Sequence, residues 1–224
     1  MMRDIIFLFG AGASFGAGGI LPERPPLGLQ LYPILERIYP STWGALPSDV
    51  REIFREDFEA GMQIVYERWG MAIPALMRDL AVYFIQFRPI NKSTLYCKLI
   101  SSLNEQGILS RSLMSTLNYE CVLEFSLVGQ GHQITYFDNG DEHTIPVWKL
   151  HGSCNMFSHN LQASPNVYYG TGVSFEGGLK ANLDSNDVIR HCLVETGLSP
   201  AMCLYMRGKP LQVSPSVVAT LQKA

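Results

Sequence analysis

Five apolar residues, Ile5 to Phe9, lead directly into Gly10-Ala11-Gly12-Ala13-Ser14. A continuous run of β-formers that breaks at a glycine turn is how parallel α/β domains begin. Glycine lets the backbone turn tightly and approach a pyrophosphate without a side-chain clash, and backbone N–H groups then face the phosphates. The spacing is not the dinucleotide fingerprint: Phe15 stands where its last glycine would fall, and Gly16 comes one residue late. No Gly-Lys-Ser/Thr follows, so it is not a Walker loop either. A tight strand–helix connection with no ligand is the competing reading.

The rest of the chain alternates helical and strand patterns. Residues 18–28 hold Pro22, Pro25 and Pro26 and read as a loop. From Leu29 to about residue 90, three apolar stripes recur at helical spacing, for example Leu76, Leu80, Tyr83, Phe84 and Phe87. This predicts an inserted helical lobe whose aromatics form a core rather than a cofactor box. Residues 93–105 read as a helix stopped by Gly107. Leu113 to Leu117 reads as a buried strand, Tyr119 to Leu127 as a helix, Ile134 to Phe137 as an alternating strand, and Ile145 to Leu150 as another strand. The expected fold is therefore α/β: a Rossmann-like, mostly parallel sheet in a single domain over residues 1–224, with residues 29–90 as the helical insertion. Residues 153–182 look loop-like, while 186–195 and 217–222 suggest helices. The C-terminal part reads as incomplete, and a sheet lacking its last strands would expose an apolar edge.

Composition narrows the function classes. The chain is 47% hydrophobic with only 17% charged residues, so much of it should be buried. A net charge of −3 and scattered basic residues give no footprint for nucleic acid. Cys97, Cys121, Cys154, Cys192 and Cys203 are odd in number and never spaced C-x-x-C, which argues against a disulfide framework or a four-cysteine zinc site. Residues 5–22 carry no charge and follow Arg3, but Asp4 and the glycines that break this run oppose a signal peptide or membrane span. The chain is expected to be cytoplasmic, with no membrane association and no bound metal.

Two further motifs end apolar strands. In Thr116-Leu117-Asn118-Tyr119-Glu120, Asn118 should sit past the strand end, where open α/β sheets bind ligands. Its amide can donate and accept, so it can hold a ribose hydroxyl and a water together; alternatively it caps the helix starting at Tyr119. In Lys149-Leu150-His151-Gly152, His151 titrates near neutrality and can take a proton from a sugar hydroxyl, while Gly152 lets substrate approach. A histidine simply hydrogen-bonded at a strand end is the alternative. His132 and His143 read as solvent-exposed, His159 as part of a polar loop, and His191 as packing on a helix. If the sheet is parallel, the three motifs face one crevice. A phosphate-cradling turn, a ribose-positioning amide and a neutral-pH base suit cleavage of a nucleotide N-glycosidic bond.

In this order the three motifs resemble those of the sirtuin family, and most closely its bacterial sirtuin-like branch, where a segment like Pro25-Pro26-Leu27 follows the first motif. The resemblance spans roughly residues 3–155. It implies an NAD-consuming enzyme that releases nicotinamide and ADP-ribose, in that branch sometimes in anti-phage defence. By this resemblance Asn118 and His151 are the catalytic pair, and Gly10, Ala11, Gly12, Ser14, Thr116, Glu120 and Gly152 bind the cofactor, with Ala11 and Ser14 at its phosphates. NAD-dependent protein deacylation is an alternative that the missing C-x-x-C pairs oppose. Binding of NAD or ADP-ribose without turnover, in a truncated or partner-dependent domain, is another. Glu120 stands where deacylases carry aspartate, and Gly170-Thr171-Gly172-Val173-Ser174 matches the family's later glycine–serine loop only in letters. Family members often assemble, which leaves a homo-oligomer or a partner protein open.

Overall fold

A computed structural model of the chain describes residues 3–136, 143–163, 175–194 and 200–206. The elements run β1 (Ile5–Phe9), α1 (Ala11–Gly16), β2 (Ile20–Leu21), α2 (Gly28–Ile38), α3 (Ser48–Glu56), α4 (Phe58–Trp69) and α5 (Ile73–Phe84). They continue with β3 (Arg88–Pro89), α6 (Leu95–Glu105), β4 (Ser112–Thr116), α7 (Val122–Val128), β5 (Gln133–Thr135) and β6 (Thr144–Lys149). The last are β7 (Met156–Ala163), β8 (Phe175–Ala181) and α8 (Ser185–Leu193).

Among the described residues the central sheet has four strands in the order β1-β4-β6-β5, all parallel, as the alternation of strands and helices implies. Every residue of β4 is buried, as a central strand demands. β1 is apolar throughout but not buried throughout. Among the described residues it lies at the edge of the sheet, and Ile6 and Leu8 are 65% and 62% exposed. A run that is apolar on both faces cannot reveal which side lacks a neighbour, so this edge is a tertiary property.

The helical lobe forms between β2 and β3, which pair with each other and close its base. Its centre is aromatic. Tyr32 stacks on Phe54 at 4.7 Å, and the Trp43 ring meets Phe54 edge-on at 5.6 Å. Trp43, Tyr32 and Phe54 are fully buried, each worth roughly 1.5–3 kcal/mol in area removed from water. A methyl group at Gly61 would fall 2.4 Å from the Phe54 ring, so only glycine lets α4 approach so closely. Local signals set the helix starts: Asp57 accepts from Ala60 N at 3.0 Å before α4, and Pro74 occupies the first turn of α5. One cluster of buried apolar residues runs through the lobe and the sheet.

Residues 153–163 and 175–182, the described parts of 153–182, depart from the expected loop. β7 and β8 form an antiparallel hairpin, with Met156 opposite Ala181 and a register shift between His159 and Gln162. His159 is thus on a strand. Composition hides this pairing because each strand is stabilised by a distant partner rather than by its own periodicity. His132 is half-buried rather than exposed, His143 is exposed, and the His191 ring packs on Phe157 at 4.0 Å. The expected helix over 217–222 and the 170–174 segment lie outside the described residues. Among those described, no helix is long and apolar enough to cross a membrane.

Candidate functional site

The register aligns three strand ends. Phe9 pairs with Thr116, and Thr116 with Lys149, so the segments after β1, β4 and β6 leave the sheet at one level. That edge is where open parallel sheets bind ligands. A cavity of about 40 Å³ lies there, room for roughly three waters. Ala11 and Ser14 of α1 and Leu117 to Glu120 of the turn after β4 line it, with Pro25 and Pro26 on the entering loop. Phe84 and Tyr205 complete an apolar wall.

Asn118 organises the polar side. Its Nδ2 reaches Gly10 O at 3.2 Å, Ser14 Oγ at 2.9 Å and Glu120 Oε1 at 3.0 Å. Carbonyl and carboxylate oxygens only accept, which sets the amide's orientation. Oδ1 makes no hydrogen bond to a described residue and is left for the cavity. Asn118 does not cap the next helix. α7 starts at Val122, three residues later than expected, and Glu120 Oε2 accepts from Val122 N at 2.6 Å in the capping role. Thr116 does not line the cavity; its hydroxyl accepts from Asn118 N at 3.0 Å and shapes the turn.

Ser14 is 1% exposed, and its hydroxyl is committed inside the protein. It donates to Glu120 Oε1 at 2.5 Å and lies 3.0 Å from Tyr96 Oη. Burial, reinforced by the Glu120 charge, holds the Tyr96 phenol well above its usual pKa. The side chain of Ser14 therefore faces this network and not a phosphate. Gly10 and Gly12 keep an open face: a methyl at either would meet nothing within 4 Å. Neither has a positive φ, so neither packing nor backbone conformation explains glycine there.

Behind the turn lies a buried ion pair. Lys149 Nζ is 2.9 Å from Glu124 Oε1 and donates to Glu120 O at 2.6 Å, and both charged side chains are fully buried. Burial alone would lower the Lys149 pKa, but Glu124, Cys121, Glu120 and Cys154 together outweigh it and keep the ammonium protonated. Burial also pushes the Glu124 carboxyl up, against the pull of Lys149. Cys121 Sγ and Cys154 Sγ lie 3.7 Å apart beside this pair, and burial pushes the Cys121 thiol well up. These buried thiols are free, as expected.

His151 is not among the residues that line the cavity; its ring lies 6.3 Å from that of Tyr119, which does. Its carbonyl accepts from Cys203 N at 2.8 Å, within a segment 200–206 that also receives the Tyr119 hydroxyl at Cys203 O, 3.0 Å away. The close approach that Gly152 permits is that of the chain itself. Its φ is +73°, and an added methyl would sit 1.8 Å from Ala201 O, so this space is not left for substrate.

Tyr96, Lys149, Glu124 and Tyr205 were not singled out in the sequence. Lys149 and Glu124 carry a signal, each being a lone charge in an apolar run; Tyr96 and Tyr205 carry none. Among the described residues no group of three His, Cys, Asp or Glu side chains could hold a metal ion. Fold and cavity together define an α/β protein with an all-parallel central sheet, compatible with a Rossmann-like fold, and a polar-floored cavity at its carboxyl edge. Comparison with protein-family models and with curated proteins gives no match for this chain.

Proposed function

We propose that this chain binds NAD at the carboxyl edge of its sheet and cleaves the nicotinamide–ribose bond. The observation that carries this reading is the amide of Asn118. Its nitrogen is consumed by Gly10, Ser14 and Glu120, and Oδ1 is left for the cavity. An acceptor there takes a hydrogen bond from a ribose hydroxyl or from the attacking water. Water adds to the anomeric carbon, nicotinamide leaves with the bonding electron pair, and ADP-ribose and a proton result. Positive charge builds on the ribose as nicotinamide departs, and acceptor oxygens around the ring favour that charge. The open faces of Gly10 and Gly12 supply the close approach a pyrophosphate needs. A role in anti-phage defence rests on the sirtuin-like motif order alone.

A second reading, binding of NAD or ADP-ribose without turnover, is favoured by the place of His151 outside the cavity wall. Nicotinamide release from NAD by the purified chain separates the two. Release lost in Asn118→Ala and His151→Ala, with both variants folded, supports glycohydrolysis by the pair. Release lost only in Asn118→Ala removes His151 from the chemistry. NAD binding without release supports the second reading, and neither binding nor release overturns both.

A further inference from the structure

An amide can serve a ligand only if it is held one way round, and the surroundings of Asn118 define how this is done. The order of donors can be followed atom by atom. Ser14 has one hydroxyl proton, and the 2.5 Å contact sends it to Glu120 Oε1. The 3.0 Å contact between Ser14 Oγ and Tyr96 Oη must then be a donation from Tyr96. Ser14 Oγ also accepts from Asn118 Nδ2 at 2.9 Å, which fills both its lone pairs; the amide has two protons for three acceptors, so one proton is shared between two of Gly10 O, Ser14 Oγ and Glu120 Oε1. Glu120 is held at every oxygen. Oε1 accepts from Ser14 and Asn118, Oε2 from Val122 N at 2.6 Å, and the main-chain oxygen from Lys149 Nζ at 2.6 Å. Glu120 is 5% exposed and Ser14 1%.

We infer that Tyr96, Ser14 and Glu120 form a positioning relay for Asn118, with Glu120 setting its polarity so that an acceptor, not a donor, meets the ligand. All three are positioning residues. Glu120 borders the cavity, but its carboxylate oxygens are spent on Ser14, on the Asn118 amide and on the start of α7. The functional consequence rests on the NAD reading above, but the geometry does not.

Glu120→Gln probes this with almost no change of shape. The glutamine must keep its oxygen on Val122 N, so its NH₂ faces Ser14 and Asn118, donor against donor. Asn118 then loses its anchor or turns over and presents Nδ2 to the cavity. Tyr96→Phe removes only the outer hydroxyl and gives a smaller effect of the same kind.

The test is the ¹H–¹⁵N side-chain amide spectrum of the full chain, with the Asn118 NH₂ pair assigned by its loss in Asn118→Ser. The expected result is a slowly exchanging Asn118 pair that shifts in Tyr96→Phe and shifts further, with faster exchange, in Glu120→Gln. Asn118 resonances left in place by both substitutions overturn the relay. Should Glu120→Gln not fold, Tyr96→Phe and Ser14→Ala decide the question by the same signal. Where the chain releases nicotinamide, Glu120→Gln should lower kcat about tenfold or more while KM stays within about threefold, the pattern of an interaction needed in the transition state. A chain that releases none refutes NAD cleavage and leaves the amide spectrum to judge the relay.

Discussion

Ser14 Oγ donates to Glu120 Oε1 at 2.5 Å although 106 residues separate them. The contact joins the turn after β1 to the turn after β4, and a hydrogen bond to a charged, buried acceptor is among the stronger kinds. Ser14→Ala is therefore expected to destabilise the fold by about 1.5–3 kcal/mol, measured by urea unfolding. An unchanged unfolding midpoint would show that the contact is not made in solution.

Gly12 lies in α1 with open space around its Cα. Gly12→Ala should leave stability unchanged or raise it by about 0.5–1 kcal/mol, since alanine is the better helix former. The methyl would still occupy the room claimed for a pyrophosphate, so NAD binding measured by calorimetry should weaken. Equal affinity in the two proteins argues that the glycine turn is only a tight connection.

Lys149 and Glu124 form a fully buried pair, and losing one partner strands the other's charge. Lys149→Met alone should cost about 3–5 kcal/mol. Adding Glu124→Leu should recover part of that loss, because no unpaired charge remains. A double variant as unstable as the sum of the single changes would contradict the pairing.

A methyl at Gly152 would meet Ala201 O at 1.8 Å, on a residue whose φ is +73°. Gly152→Ala should cost about 2–4 kcal/mol through overlap and backbone strain together. It should also unseat the 200–206 segment, seen as faster amide exchange at Cys203, whose N–H binds His151 O. Protection at Cys203 equal to that of the parent protein would refute this coupling.

Partial burial lowers the pKa of His132 below its ordinary 6.5. As pH falls from 6.5, the unfolded chain takes up this proton before the folded one, so stability falls with pH until the folded-state value is passed. His132→Gln should flatten that part of the stability profile, and the imidazole should titrate below 6.5 by NMR. A titration at or above 6.5 would reverse the sign.

Much of the frame is legible in the residues because its signals are local. The apolar run of β1, the buried run of β4 and the helical spacing of Leu76, Leu80 and Phe84 each need only their neighbours in the chain to be read. Asn118 was placed at a strand end by the same logic, and the register put it there beside the glycine turn. The hairpin of β7 and β8 was missed because its stabilising pairs lie across two strands.

By itself, then, the sequence determined an α/β chain, its parallel strands, its aromatic helical lobe and a polar residue at the end of β4, since backbone propensity and apolar period act over a few residues. Packing between distant segments is what puts β1 at the edge of the described sheet, lets Glu120 grip Ser14 and cap α7, joins Lys149 to Glu124, and leaves Tyr119 rather than His151 on the cavity wall. Each of these is a contact between distant segments, and hydrogen-bond partners and burial are set by which segments packing brings within reach.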